Sequence, residues 1–456
     1  MSVEASEASR PLGDAGRATV DFAAAARLLR RGASGALLVQ VGGAGFSLIV
    51  NVLLARLVGK SQYGIYAYAM SWVSVLVVLA LLGQSSSVVR FVPVYLHRKE
   101  WDTLRGLRRG ASGIVLAGSV VIMLVGAAVV FALRNRMGDA TLQTMLAGFL
   151  LLPLLAQLGL NGGFFRGYKR AVSAGAYNSL VRPVFFIALV LALALPLGLR
   201  LTARDIMLAN VIAALAAVGC SEWQLSRGWP AAAKRVKPSY DSRAWFRLGR
   251  QLFLLAAIGI VSNRVDVLIL GGFAGADEVG PYYAAVRLAA IAAYGLTAVN
   301  TILAPMIAES YAVEDHATVA KLVHHAAKLT FVVTVTVGIG IAVAGYWVLG
   351  LFGKGFAEAA FIPLLIILAG QCISAAAGPV GFLMTMTRYE RQASWFMALA
   401  ATLNIVLSVA LIPLFGLVGA AIASAAGIVA WNLSGLLFVR SRLDVNPTVL
   451  PLPGKS

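Results

Sequence analysis

The sequence predicts an all-α integral membrane protein with about twelve transmembrane helices, arranged as two pseudo-symmetric six-helix lobes. Three observations carry that reading. Of 456 residues, 60% are hydrophobic and only 12% charged, with mean hydropathy +0.84, against about 25% charged in soluble domains. Apolar runs recur from Ser34 onward, each near the roughly 20 residues a helix needs to cross about 30 Å of hydrocarbon, and the two-residue alternation of barrel strands is absent. The first hairpin is also written twice: Leu54, Gly59, Gly64, Tyr66 and Ala69 recur as Leu270, Gly275, Gly280, Tyr282 and Ala285, all 216 positions on. A fixed offset of that kind marks a duplicated unit.

Taken in order, residues 1–33 are expected to be a disordered tail followed by a basic amphipathic segment, Val20–Arg31, lying in the membrane interface. The N-lobe, 34–223, holds spans at 34–57, 64–88, 111–133, 142–164, 175–198 and 203–222. Residues 224–251, with Pro230, Pro238 and seven Lys or Arg, read as a basic cytoplasmic linker. The C-lobe, 252–440, repeats the scheme with spans at 252–272, 280–306, 329–352, 357–386, 392–413 and 416–439, and 441–456 form a cytoplasmic tail.

The net charge of +19 could suggest nucleic acid, but its distribution excludes that class. Segments expected on the cytoplasmic side hold 28 of the 38 Lys and Arg, outer loops hold seven, and Arg182, Arg264 and Arg287 fall at membrane depth. That asymmetry follows the positive-inside rule and places both termini in the cytoplasm. Cys220 and Cys372 lie in or beside apolar runs of different lobes and read as core thiols. His97, His316, His324 and His325 lack the surrounding ligands a metal site needs, so neither metal nor cofactor is expected.

Three stretches carry a family resemblance. LLARLVGKSQYGIYAYA at Leu53–Ala69 and DVLILGGFAGADEVGPYYAAVRL at Asp266–Leu288 resemble the first and seventh helix hairpins of the polysaccharide transporter family, and LGQSSSVVRFV at Leu82–Val92 resembles the end of its second helix. The similarity covers roughly 34–440. It implies a MATE-like fold of two lobes around a lumen, and a Wzx-type oligosaccharide flippase of the bacterial cytoplasmic membrane. Such a protein moves undecaprenyl-pyrophosphate-linked oligosaccharide from the inner to the outer leaflet by alternating access, for O-antigen, capsule or exopolysaccharide assembly. The implied partners are that lipid-linked glycan, membrane lipid, and the polysaccharide polymerase and chain-length machinery.

Charges at membrane depth cost several kcal/mol, about 2.5–3.5 for Arg or Asp at a helix centre, and so usually face a bundle interior. Arg264 and Arg287 can share one depth and form a cationic ring matched to phosphate or acidic sugars. Arg182 either joins them or snorkels to the interface. Arg90 stands at the cytoplasmic mouth, either meeting the incoming headgroup or serving as positive-inside charge. Asp266 is read in two ways: as a counter-charge, with Arg287 the expected partner, or as the site of a coupling H⁺ or Na⁺. Among polar residues of the spans, Asn300 and Gln371 are the candidates for sugar hydroxyls, while Tyr66, Tyr282 and Tyr283 read as an interfacial aromatic belt.

Three other functions compete. A cation-coupled drug exporter of MATE type would share the fold but is expected to carry more membrane carboxylates. A membrane oligosaccharide polymerase or ligase needs a catalytic cluster at the outer face, and the short outer loops offer only scattered acids such as Asp139, Asp205 and Glu358. A lipid II flippase is expected to have two more spans.

Overall fold

The computed structural model describes residues 22–194, 201–293, 316–387, 389–442 and 447–449, and among these there are helices and no strand. In chain order they are α1 (Phe22–Leu81), α2 (Gln84–Arg98), α3 (Trp101–Ala132), α4 (Asp139–Gly167), α5 (Ala171–Ala176), a π-helical turn (Tyr177–Val181) and α6 (Arg182–Ala194). Next come α7 (Ala203–Arg227), α8 (Ala231–Arg235), α9 (Ser242–Ser262), α10 (Val265–Phe273) and α11 (276–293). The last four are α12 (His316–Gly350), α13 (Phe356–Ala377), α14 (Val380–Met386) and α15 (Glu390–Arg442). The tail expected at 1–19, and Asn300, lie outside the described residues.

Eight helical stretches among the described residues are long and apolar enough to cross a membrane, with α5, the π-helical turn and α6 together forming one of them, and there are nine when the bent pair Ala256–Ser262 and Val265–Phe273 counts as one span. The chain is thus a multi-pass membrane protein. Two of the eight are long enough for two crossings: Gly42–Leu81 has 40 residues and Glu390–Arg442 has 53, or about 60 and 80 Å at about 1.5 Å per residue. Each is a hairpin. α1 breaks at Gly59 (φ 79°) and α15 at Gly416 (φ 53°), backbone conformations that a side chain disfavours. Across the first break Tyr63 OH donates to Asn51 Oδ1 at 2.9 Å, and across the second Gly427 lies close against Asn404.

The expected seventh span, 252–272, is not one helix. It bends by 45° between α9 and α10, where the Asn263 amide is shared between Gly259 O and Ile260 O, the Arg264 amide bonds three residues back to Val261 O, and Asn263 Nδ2 also donates to Gly259 O at 2.7 Å. An unbroken apolar run hides such a turn, since hydropathy does not register where an amide side chain competes for a backbone carbonyl.

At the end carrying the hairpin turns, one core joins both halves of the chain: Leu54, Tyr63 and Tyr66 pack in it with Tyr282, Phe352 and Phe356. At the opposite, basic end there are two separate cores, one around Val88, Leu104, Phe164 and Trp245, the other around Val323, Leu383 and Val439. The halves share a core at one end and have separate cores at the other, where α9 packs on α1 and α2 before running on against α15.

The segment expected as a linker is packed on the first half. Trp245 is fully buried and its Nε1 donates to Tyr95 OH at 2.9 Å; Ser239 N donates to Asp102 O at 3.1 Å. The charges that suggest a loose linker turn outward, the two prolines are half-buried, and the two tryptophans, Trp229 and Trp245, turn in. The core-thiol expectation fails for Cys220, which is exposed, and Cys372 is only partly covered. Both lie on helix faces that an apolar environment can solvate, so small size and hydrophobicity do not force them inward.

Candidate functional site

Beneath the shared core a cavity of about 80 Å³ opens between α1, α6, α7 and α11. Arg182 reaches it from the start of α6, where the π-helical turn ends, and Arg287 from α11. Arg182 Nη1 donates to Asn210 Oδ1 at 3.0 Å, and Asn210 Nδ2 donates on to Tyr66 OH at 3.0 Å. Arg287 Nη2 donates to Tyr283 OH, with its Cζ 4.7 Å from the centre of that ring. Arg264, at the break before α10, stands 5.8 Å from the same ring. Tyr283 therefore sits among two guanidiniums, whose charge the ring face attracts.

Among the described residues neither Arg182 nor Arg264 is in an ion pair, and the buried Nε of each has no hydrogen-bond partner. A guanidinium keeps its charge under any physiological condition. Part of the cavity wall is thus positive charge met by neutral amides and hydroxyls, with donors to spare. The roof is aromatic and comes from both halves: the Tyr63 ring centre lies 6.2 Å from Tyr283, 6.2 Å from Phe352 and 6.0 Å from Phe356.

A second cavity, about 350 Å³, lies in the later half between α9, α10, α11, α13 and α15. Asp266, 3% exposed, faces it with Gln371, Asn404 and Ser424. Its carboxylate accepts from Tyr282 OH at 2.6 Å and from Val267 N at 2.8 Å, with Ser424 lining the same cavity. The expected pairing of Asp266 with Arg287 is therefore not made. Asp266 occupies the first turn of α10, where free amides already favour an anion, and it points away from the first cavity.

The structure thus sorts the sequence candidates. Arg182 and Arg287 share one cavity, Asp266 and Gln371 share the other, and Arg264 stands at the wall beside Tyr283. Arg90 is exposed on α2 and lines neither. Tyr66, Tyr282 and Tyr283 are not an aromatic belt: they are 6%, 0% and 4% exposed and anchor the polar network. Their ring and hydroxyl composition fits either role, and only the helix crossing decides between them. Asn210 was not among the candidates. Its signal was a lone amide in the apolar run of α7, of the same kind that singles out Gln371.

The helix arrangement is that of MATE-type membrane transporters. An inward-facing multidrug resistance MATE family transporter of the MOP superfamily matches with TM-score 0.68 at 13% identity, covering 87% of this chain and 98% of that one. A MOP superfamily transporter from Pyrococcus furiosus, described by the reversed polarity of its binding pocket, matches with TM-score 0.68 at 12% identity over 91% and 95%. At these identities the likeness shows the fold alone. A probable low-salt glycan biosynthesis flippase, Agl15 of Haloferax volcanii, is 24% identical over 392 residues, 85% of this chain and 78% of that protein. Residues 29–311 match the family model of polysaccharide biosynthesis proteins, and the chain belongs to that family.

Proposed function

We propose that this protein is a flippase for lipid-linked oligosaccharide. It moves undecaprenyl-pyrophosphate-linked glycan from the inner to the outer leaflet of the bacterial cytoplasmic membrane by alternating access, supplying the polymerase and chain-length machinery of polysaccharide assembly. The observation that carries it is the placing of Arg182 and Arg287, from different halves, on one cavity beneath the shared core. A diphosphate needs forked, permanently charged donors, and these arginines sit where two lobes, 34–223 and 252–440, would close on it. The basic end, where the cores are separate, is the cytoplasmic side on this reading, with both termini there.

The test is transport in proteoliposomes with a short-chain polyprenyl-diphosphate glycan. Arg182→Ala and Arg287→Ala should each lower the rate at least about tenfold, the weight of one charge-assisted hydrogen bond of about 1.5–3 kcal/mol, while inserting normally. Arg287→Lys should rescue in part, because the planar fork is lost. Full transport by both alanine variants would remove the cationic cavity from the mechanism. A phosphatase fused after residue 456 and active outside the cytoplasm would invert the topology.

A second reading concerns coupling. Asp266 is held by hydrogen-bond donors and by no ion pair among the described residues, in a cavity of about 350 Å³, which supports a carboxylate that exchanges H⁺ or Na⁺. Asp266→Asn should abolish gradient-driven uptake and leave exchange without a gradient intact. Loss of both would make Asp266 structural.

A further inference from the structure

Another basic site lies away from both cavities, at the basic end of the first half. α4 packs against α3 and α7, and near Gln157 of α4 there is a cavity of about 340 Å³ lined by Arg105, Arg108 and Arg109 of α3, Trp229 after α7, and Lys234 of α8. Arg108 is fixed on two sides. Its Nη2 donates to Glu222 Oε2 at 2.9 Å, and its Cζ lies 4.6 Å from the centre of the Trp229 ring. Gln157 Nε2 donates to the other oxygen, Glu222 Oε1, at 2.9 Å, and also to Asn161 Oδ1 at 3.1 Å, so the floor continues into the helix bundle. Arg105 Nη1 is tied to Val236 O. Arg109 and Lys234 are exposed, and neither is in an ion pair among the described residues. Four cations face one carboxylate.

Two helical turns further into the bundle, the same helix faces carry exposed leucines. Leu150 lies seven residues before Gln157 and so on the same face of α4; it is 50% exposed, as are Leu116 of α3 at 54% and Leu215 of α7 at 59%. A headgroup-sized basic cavity therefore opens onto a strip of hydrocarbon surface running into the membrane. The basic cavity formed by Arg243, Arg247 and Arg250 differs: all its lining residues come from one helix, α9, and that is the ordinary charged end of a membrane helix.

We propose that the Arg105–Arg108–Arg109–Lys234 cavity binds the phosphate headgroup of an anionic glycerophospholipid from the adjacent leaflet, with its acyl chains along Leu150, Leu116 and Leu215. Arginine forks match phosphate oxygens, and basic cavities between membrane helices select anionic headgroups. A zwitterionic lipid brings a cation of its own into a site already carrying four. A bound lipid there would tie α3, α7 and α8 together at the end where the first half has no shared core with the second.

Native mass spectrometry of the full-length protein, delipidated and then titrated, tests this with phosphatidylglycerol, phosphatidylcholine and soluble glycerol 3-phosphate as probes. One phosphatidylglycerol should be retained in preference to phosphatidylcholine. Arg109→Ala with Lys234→Ala, both exposed and so expected to leave folding intact, should weaken it about thirtyfold, or about fivefold per cation. Arg247→Ala with Arg250→Ala should leave retention unchanged. Equal retention of both lipids, or equal losses in the two double variants, would overturn the site. Competition by glycerol 3-phosphate as effective as by the lipid would overturn the lipid and assign the cavity to a soluble phosphate.

Discussion

The hairpin around Gly59 and the hairpin around Gly275 share a backbone and differ in chemistry. Gly59 and Gly275 have φ of 79° and 80°. Gly64 and Gly280 cross each other reciprocally: a Cβ on Gly64 would lie 1.8 Å from Ala276 O, and one on Gly280 would lie 2.8 Å from Lys60 O, itself 216 positions before Ala276. Tyr66 and Tyr282 are both buried, but the first bonds an amide, Asn210, and the second a carboxylate, Asp266. The charged residues have no counterparts. Where the later hairpin carries Arg264, Asp266 and Arg287, the earlier has Leu48, Val50 and Ser71. What recurs is what lets two helices touch, and what does not recur is what a ligand would feel.

The largest expected effect is at the crossing. Gly64→Ala drives a methyl into a backbone carbonyl that cannot rotate aside, and should cost about 3 kcal/mol or more, whereas Gly280→Ala should cost about 1. Thermal unfolding of the purified protein reads the difference, and equal small shifts would break the reciprocal crossing. Next are the tyrosines. Tyr282→Phe removes a hydrogen bond to a buried carboxylate and should cost about 2–3 kcal/mol, against about 1 for Tyr66→Phe, whose partner is neutral. If Tyr66→Phe proved the costlier, Asp266 would be protonated or solvated in the folded protein. The smallest difference should be at the turns: Gly59→Ala and Gly275→Ala each meet open space and lose only the left-handed preference, about 1–2 kcal/mol in both. Unequal losses there would mean that the two turns carry different loads.

Much of this was legible in the sequence, because it rests on composition and spacing. Apolar runs gave the membrane helices, and the constant offset of 216 gave the paired glycines and tyrosines. Arginines at membrane depth drew attention to Arg182 and Arg287, since few alternatives exist for a charge placed there. The partners were not legible. Asp266 pairs with Tyr282 because α10 is a new helix, capped by Arg264, and that break comes at Asn263 and Arg264, whose amides bond three residues back, to Ile260 O and Val261 O. Glu222 escaped notice for a similar reason. It lies near a helix end where a carboxylate is unremarked, and only the packing of α4 against α3 and α7 brings Gln157 and Arg108 to it.

The crossing of Gly64 and Gly280 also has a mechanical meaning. Side chains interlock around the contact, with the Tyr63 ring 6.2 Å from that of Tyr283, but at the contact itself backbone meets backbone, and under the proposed alternating access it would act as the pin on which the two helices turn. It lies close to the hairpin turns, which leaves a long arm on the other side: from Gly64 to Leu81 is 17 residues, about 25 Å at about 1.5 Å per residue. A swivel of about 10° moves the far end of that arm by about 4 Å, and the same rotation moves Gly59, five residues from the pin, by only about 1 Å. Under the proposed mechanism, gearing of this kind would let the end with the shared core hardly stir while the basic end opened.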